Sequence, residues 1–309
     1  MTNPHTQTRR AVGGRDLAEL TLNNGVQIPT LGLGVLQSDG AEATSAVSTA
    51  LQAGYRLVDT AAAYLNEREV GRGLRESGVD RADVFLTTKL WMTDYGFDGA
   101  LRAFDTSTAK LGVDHVDLYL LHWPWPASWS RTVEAYRAAE RLLEEGRVRA
   151  IGVANFKPDH LRALVAANDV VPALNQVELH PNFQQPDQVA LHQELGILTQ
   201  AWSPIGGVYG WAGENGAVPP LRSGTIAAIA EAHGKTPAQV ILRWHLQEGR
   251  SAIPKSVKPE RIAENLDVFD FELTAEDLRA IAGLDTGQRG AIDPDDATPE
   301  VIDLTIDEA

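Results

Sequence analysis

The sequence predicts a fold of the α/β class, a closed (β/α)8 TIM barrel with an N-terminal β-hairpin. Short runs rich in Val, Ile and Leu recur along the chain, and amphipathic stretches separate them. The runs do not alternate between apolar and polar residues, which is typical of parallel strands buried on both faces. The length of 309 residues suits one such barrel with appended termini.

The hairpin comes first, because Asn24-Gly25 is the commonest signal for a two-residue hairpin turn and lies between two short runs. Helices are predicted between the later runs, and several of them end in glycine, as helix C-termini often do. The stretch "TPAQVILRWHLQEG" has Thr236 as its N-cap and Pro237 at the first helical position. The eight barrel strands are predicted at 31–35, 55–59, 84–89, 116–122, 149–154, 174–179, 197–202 and 251–255.

A doubly wound parallel sheet is the competing prediction, since it shares the alternation of strands and helices. The stretch "GLGVLQ" supplies Gly32 and Gly34, but Gln37 stands where a dinucleotide-binding fingerprint needs its third glycine. Asp59 is the only acid about 20 residues further on at a strand end. We therefore favour the barrel and interpret the two glycines as points of close backbone approach, at the mouth of the barrel.

One barrel domain is predicted for residues 18–284, after a flexible leader at 1–17 and before an acidic tail at 285–309. Residues 203–222 form a long Gly/Pro-rich segment after the seventh strand. The part of the tail from residue 293 onward is predicted to be solvated, because like charges repel one another and favour exposure. From residue 293 onward the chain has no Lys or Arg and carries the acids Asp293, Asp295, Asp296, Glu300, Asp303, Asp307 and Glu308.

Composition excludes several classes of function. The net charge of −15 argues against nucleic acid or an anionic membrane as a partner. The absence of cysteine excludes disulfides and thiolate catalysis. The N-terminus lacks the apolar region of a signal peptide, and no apolar run is long enough to span a membrane. No pair among the 8 histidines has metal-ligand spacing with an acid, so we expect no metal. The lack of cysteine and of a signal peptide fits a cytoplasmic protein, which we expect to be a monomer.

Polar side chains follow three neighbouring strands of the predicted barrel. Asp59, Lys89 and His122 end strands two, three and four, and Tyr64 lies in the loop after strand two. Each alone has an ordinary explanation: a helix cap, a solvent-exposed amine, a core imidazole or core filling. Because the C-terminal ends of barrel strands meet at one mouth, we expect the four side chains to lie together.

This set of groups has a chemical logic. Tyrosine, with a pKa of about 10, is a weak acid near neutral pH. A buried ammonium beside Tyr64 would lower its pKa, and the Asp59 carboxylate would keep Lys89 charged. The His122 imidazole could orient a carbonyl oxygen. Such a site protonates an oxygen on which negative charge develops, and the natural reaction is hydride transfer from a nicotinamide cofactor to a carbonyl carbon.

Seven motifs lie in order along the chain: "VDTAAAYLNEREVG", "TTKLW", "VDLYLLHWP", "IGVANF", "NQVELHP", "AWSPIG" and "IPKSVKPERIAENLDVFDFEL". On these motifs the chain resembles the aldo-keto reductases from Leu20 to about Leu284, and within that family it looks most like the bacterial 2,5-diketo-D-gluconate reductase group. Trp202 stands where many members carry tyrosine.

The resemblance implies roles for residues of this chain. The catalytic tetrad falls on Asp59, Tyr64, Lys89 and His122, with Tyr64 as the general acid. Where the family has serine before its carboxamide-binding asparagine, this chain has Ala154. The implied substrate contacts are Leu36, Trp91 and Trp123. The implied contacts to the cofactor are Asn155, Gln176, Trp202, Ser203, Lys255, Ser256, Val257, Arg261, Glu264 and Asn265.

The predicted function is NADPH-dependent reduction of aldehydes or ketones, with a small-molecule carbonyl compound as substrate. NADPH is favoured over NADH because Lys255, Lys258 and Arg261 could bind a 2′-phosphate. The main alternative is a catalytically silent barrel that binds a dinucleotide as a sensor or regulatory subunit. A third hypothesis is an aldolase in which Lys89 forms a Schiff base, although a neighbouring Asp59 would keep the amine protonated.

Overall fold

The computed structural model describes residues 7–12, 15–207, 218–302, 304 and 306 of the chain. Its centre is a sheet of eight parallel strands whose spatial order follows their order in the chain. Each of the eight predicted strands overlaps one of them. The strands are β4 (Leu33–Gly34), β5 (Leu57–Asp59), β6 (Phe85–Leu90), β7 (Val116–Leu121), β8 (Val148–Ala154), β9 (Leu174–Glu178), β10 (Leu198–Trp202) and β11 (Ser251–Ala252).

Backbone hydrogen bonds join the last strand to the first and close the sheet. The amide of Gly32 donates to the Ala252 carbonyl at 2.9 Å, and the amide of Ala252 donates to the Thr30 carbonyl at 2.9 Å. Gly34 adds a third bond of this seam, from its amide to the Pro254 carbonyl at 3.1 Å. The predicted barrel is therefore confirmed, and the doubly wound sheet is excluded because such a sheet has two open edges.

The two glycines of the first strand lie where the barrel closes. A Cβ on Gly34 would lie 2.9 Å from the carbonyl oxygen of Ile253, and one on Gly32 would lie 2.4 Å from Cγ of Leu57. Both distances are shorter than real Cβ contacts. The interpretation as a point of close backbone approach is confirmed for Gly34, whose partner is the backbone beyond the last strand, whereas Gly32 makes room for the Leu57 side chain.

Helices surround the sheet. The residues between sheet and helices form the larger apolar cluster, with Val58, Leu86, Tyr119 and Ile151 completely or almost completely buried. Thr236 caps its helix as predicted, because its side chain and that of Gln239 bond reciprocally to the first turn. The helices are α1 (Gly40–Ala53), α2 (Glu67–Glu76), α3 (Phe97–Leu111), α4 (Trp129–Glu144), α5 (Pro158–Ala167), α6 (Pro186–Leu195), α7 (Gly224–His233), α8 (Pro237–Gln247), α9 (Pro259–Leu266), α10 (Ala275–Ala282) and α11 (Pro299–Ile302).

Three antiparallel strands precede the barrel: β1 (Gln7–Val12), β2 (Arg15–Thr21) and β3 (Gln27–Pro29). The hairpin predicted around Asn24-Gly25 is formed by β2 and β3. Leu20 and Ile28 of this hairpin pack with the first residues of barrel strands, so the hairpin closes the N-terminal end of the barrel. Strand β1 lies within the segment predicted to be a flexible leader, and its backbone pairs with the edge of β2, which satisfies groups that would otherwise be unpaired.

The described part of the tail lies against the barrel, although Asp295, Asp296 and Glu300 of its acidic run are exposed to solvent. The buried Glu178 carboxylate accepts hydrogen bonds from the amides of Gly290 at 2.7 Å and Ala291 at 3.0 Å. Lys157 pairs with Asp293 at 3.0 Å, and Ala297 is completely buried. A basic residue and a buried carboxylate on the barrel thus anchor a segment that looks highly charged in the sequence. The domain boundaries themselves stay a prediction.

Residues 208–217, the middle of the Gly/Pro-rich segment, lie outside the described residues. Within the described ranges, no helix has both the length and the apolar character needed to cross a membrane.

Replacing Gly34 by alanine should destabilise the seam, because its Cβ would meet a backbone oxygen that cannot rotate away. We expect Gly34→Ala to lower the free energy of unfolding by about 1–3 kcal/mol, measured by urea denaturation. Gly224→Ala is the matched control, since a Cβ there meets no atom within 4 Å, and it should be neutral or slightly stabilising. Equal stabilities of the two variants would contradict the close approach at the seam.

Candidate active site

A buried ion pair lies at the C-terminal ends of β5 and β6. Asp59 ends β5, and Lys89 is the penultimate residue of β6. The Lys89 Nζ atom is 2.5 Å from Asp59 Oδ1, and the two side chains are 0% and 1% exposed. The C-terminal ends of neighbouring strands therefore bring these two groups together, as the sequence predicted.

The Lys89 ammonium uses all three of its N–H groups. Besides Asp59, it donates to the carbonyl oxygen of Thr60 at 2.9 Å and to the Tyr64 Oη atom at 3.2 Å. An ammonium has three donors and no acceptor, so the phenol oxygen must accept this bond. A positive charge on the oxygen side of Tyr64 polarises its O–H group as a donor.

Burial acts on the ionisation of both partners. It raises the pKa of the Asp59 carboxyl and lowers the pKa of the Lys89 ammonium, because each charge is less stable away from water. Attraction between the two groups and the hydrogen bonds to Asp59 oppose these shifts. The Glu67 carboxylate, which is buried beside Thr88 with an oxygen 2.6 Å from its hydroxyl, also favours the charged form of Lys89.

The loop that carries Tyr64 is fixed by Asn66. The Asn66 side chain accepts a hydrogen bond from the Thr60 hydroxyl at 2.8 Å, and it donates to the carbonyls of Val35 at 2.9 Å and Ser38 at 3.0 Å. The sequence alone did not predict this role. Its only signal is an asparagine just before a helix, which resembles an N-cap, yet this side chain caps no helical amide.

His122 directly follows β7 and lies between two aromatic rings. Its ring centroid is 5.6 Å from that of Tyr64 and 5.3 Å from that of Trp91, with edge-to-face geometry in both cases. Burial lowers the pKa of His122 well below its usual range, and the nearby Lys89 charge acts in the same direction. The imidazole is therefore neutral near pH 7 and can donate a hydrogen bond from one nitrogen while accepting at the other.

Among the buried polar atoms that face no hydrogen-bond partner within the described residues are Nδ1 of His122 and Nε1 of Trp91. Buried polar groups are nearly always satisfied, so these two atoms are exceptions next to Tyr64 and Lys89. The other predicted substrate contacts lie after the ends of barrel strands too, since Trp123 follows His122 after β7 and the partly buried Leu36 comes shortly after β4. The mouth thus combines polar atoms with apolar walls.

The residues predicted to meet the nicotinamide continue the site across β8, β9 and β10. Asn155 donates to the His122 carbonyl at 2.9 Å and accepts from Trp202 Nε1 at 2.9 Å. Gln176 donates to Asp59 Oδ2 at 2.7 Å. Asn155 and Ser203 both have left-handed backbone conformations, with φ of 66° and 49°. Ala154, in place of the family serine, is buried and offers no hydroxyl.

The residues predicted to meet the adenosine end lie beyond β11 and on α9. Lys255, Lys258 and Arg261 are exposed, and within the described residues Lys258 and Arg261 form no ion pair. The Lys255 amine donates to the Gln37 carbonyl at 3.1 Å. Their neighbours are more enclosed: Ser256 and Asn265 are buried, whereas Val257 and Glu264 are partly buried.

Together these groups form a path from the tetrad to an exposed basic cluster. Amides and an indole lie next to the tetrad, and cations lie at the far end on Lys255, Lys258 and Arg261. This order of groups suits a dinucleotide with a carboxamide ring at one end and phosphates at the other. The residues present therefore fit a nicotinamide cofactor.

Comparison with known proteins agrees with this geometry. A model of the Aldo/keto reductase family matches residues 30–286. The chain is 55% identical over 280 residues to morphine 6-dehydrogenase of Pseudomonas putida, covering 90% of this chain and 94% of that protein. An aldo/keto reductase structure from Brucella melitensis has a TM-score of 0.80 and 49% identity, covering 87% of this chain and 100% of that one.

An aldo-keto reductase of Bombyx mori, solved in complex with NADP, has a TM-score of 0.82 and 35% identity, covering 89% of this chain and 94% of that one. Sequence and structure comparisons thus agree over most of the chain, including every strand of the barrel. This protein belongs to the aldo/keto reductase family.

Proposed function

We propose that the protein is an NADPH-dependent reductase of aldehydes or ketones in which Tyr64 is the general acid. The observation that carries this proposal is the hydrogen bond from the Lys89 ammonium to the phenol oxygen of Tyr64. The same ammonium is paired with the Asp59 carboxylate, which favours its charged form. A positive charge at this distance stabilises the phenolate that remains after proton transfer. Tyr64 therefore becomes a stronger acid in the direction of reduction.

His122 is suited to orient the substrate. Its neutral imidazole carries one N–H group, which can donate a hydrogen bond to a carbonyl oxygen. The His122 ring is in edge contact with the rings of Tyr64 and Trp91. A carbonyl oxygen held by His122 therefore lies within reach of the Tyr64 phenol. Such donors stabilise negative charge as it develops on the oxygen.

The cofactor residues complete the proposal. Bound NADPH would supply the hydride that reduces the carbonyl carbon. Asn155 and Gln176 would hold the carboxamide, and Trp202 would cover the ring. Ser203 would lie along the pyrophosphate. The adenosine half would meet Lys255, Ser256, Val257, Arg261, Glu264 and Asn265, with the exposed cations on the 2′-phosphate. The NADP complex of the Bombyx mori relative supports this choice of cofactor.

The Schiff-base hypothesis for Lys89 is disfavoured by its surroundings. A nucleophilic amine needs a lone pair and an open approach. The Lys89 side chain is completely buried, and its three N–H groups already have acceptors. The binding-only alternative shares the barrel and the cofactor residues, but it gives no reason for an ammonium bonded to a phenol at the mouth. Turnover decides between them.

The substrate class is a carbonyl compound or the corresponding alcohol. The similarity to morphine 6-dehydrogenase suggests that the mouth accepts a bulky, largely apolar compound. The sequence motifs also resemble the 2,5-diketo-D-gluconate reductase group, which suggests a keto-sugar acid instead. Polycyclic ketones, keto-sugar acids and small dicarbonyls therefore belong in one assay panel, with NADPH oxidation as the signal. That the protein acts as a cytoplasmic monomer stays a prediction.

Removing the Tyr64 hydroxyl tests the general acid. Tyr64→Phe should lower kcat by about 100- to 10,000-fold, because general acid catalysis is worth that much. NADPH binding, followed by tryptophan fluorescence, should change little, since the phenol acts chiefly on the transition state. A Tyr64→Phe enzyme that keeps half of the wild-type kcat would remove Tyr64 from this role.

Removing the Arg261 guanidinium tests the choice of cofactor. Arg261→Ala should raise the KM for NADPH about 10-fold and leave that for NADH nearly unchanged, because only NADPH has a 2′-phosphate for charge-assisted hydrogen bonds. Arg162→Ala, which removes another exposed guanidinium, on α5, is the control and should change neither value. Equal use of both cofactors by the wild type would contradict the proposal.

A further inference from the structure

A row of polar side chains crosses the barrel interior below the tetrad. Gln176, Gln200 and Ser251 are direct neighbours in the registers of β9, β10 and β11, and all three are 0–1% exposed. Gln176 Nε2 lies 2.7 Å from Gln200 Oε1, and Gln200 Nε2 lies 2.9 Å from the Ser251 hydroxyl. The row begins at Asp59 Oδ2, which is 2.7 Å from Gln176 Nε2.

The hydrogen bonds of this row are consistent in only one direction. The Asp59 carboxylate only accepts, so the Gln176 atom beside it must be the amide nitrogen. That nitrogen also faces Gln200, which must therefore present its oxygen and turn its nitrogen towards Ser251. The Ser251 hydroxyl then donates to the Pro29 carbonyl, 3.4 Å away. Obligate acceptors thus stand at both ends of the row.

This direction of the hydrogen bonds matters because it fixes which way the nitrogen and the oxygen of the Gln176 side-chain amide point. Its nitrogen is held by two acceptors, one on Asp59 and one on Gln200. The terminal torsion of a glutamine is otherwise broad and nearly two-fold, so an amide with fewer partners can rotate. With the nitrogen held, the carbonyl oxygen is the end that remains for a donor on a ligand.

We propose that Gln200 and Ser251 are positioning residues that orient the Gln176 amide, so that its carbonyl oxygen accepts from the NH2 of the nicotinamide carboxamide. The proposal rests on the proposed cofactor and adds two residues that touch neither cofactor nor substrate. The expected consequence is selectivity, because an oriented acceptor favours a cofactor that has the NH2 group over one that lacks it.

The test compares the binding of two cofactors. NADPH carries the carboxamide NH2, whereas the reduced 3-acetylpyridine analogue of NADPH has a methyl group in its place. Tryptophan fluorescence titrations give both dissociation constants without turnover. We expect the wild type to prefer NADPH, and Gln200→Met to reduce that preference about 3- to 10-fold, since one orienting hydrogen bond is lost. Ser251→Ala should reduce it less, because the hydroxyl acts through Gln200.

Thr199→Val is the matched control. Thr199 is the neighbour of Gln200 on β10, is also buried, and bonds to His192 on the other face of the strand. It should lose stability but keep the preference of the wild type. A preference unchanged in Gln200→Met would overturn the proposal, and if that variant does not fold, an unchanged preference in Ser251→Ala does so.

The binding test can succeed or fail independently of the proposed reductase activity. If the wild type binds both cofactors with the expected preference, and Gln200→Met weakens that preference, the positioning role stands even where no carbonyl compound is reduced. If the wild type reduces carbonyl compounds and Gln200→Met keeps its preference, the reductase stands and the positioning role falls. If the wild type binds neither cofactor, both fall.

Discussion

The enclosed pair of Asp59 and Lys89 is the constraint on which the rest of the site depends. Removing two charges from water costs several kcal/mol per ion, and only good geometry with further hydrogen bonds offsets that cost. Here the ammonium has three acceptors, and the carboxylate has a second donor in Gln176. The pair therefore ties β5, β6, β9 and the Tyr64 loop together, and it places a positive charge beside the phenol.

Most of the fold could be predicted because each element carries its own local signal. Apolar runs marked the strands, Asn24-Gly25 marked the hairpin, and Thr236 with Pro237 marked the start of α8. The meeting of Asp59, Lys89 and His122 followed from topology alone, since parallel strands in a barrel end at one face. Tyr64 joined them because its loop is short and directly follows β5.

The remaining features depend on contacts between distant parts of the chain. Gln200 bonds to Gln176 and Ser251, which are 24 and 51 positions away, and such register across strands leaves no local pattern. Asn66 resembled a helix cap, although its partners lie across the loop on Thr60 and the segment after β4. The contact of the tail with the barrel involves Glu178, which is 112 positions from Gly290, so the charges of the tail alone do not predict it.

The pH dependence of kcat/KM for carbonyl reduction, in the wild type and in Lys89→Met, tests most directly whether this ammonium makes Tyr64 an acid. We expect the wild type to lose activity at high pH with an apparent pKa below about 10, the value of an ordinary tyrosine. In Lys89→Met this limb should move to higher pH while kcat falls, because the positive charge beside the phenol is gone. A limb at the same pH in both enzymes would contradict the role of the ion pair.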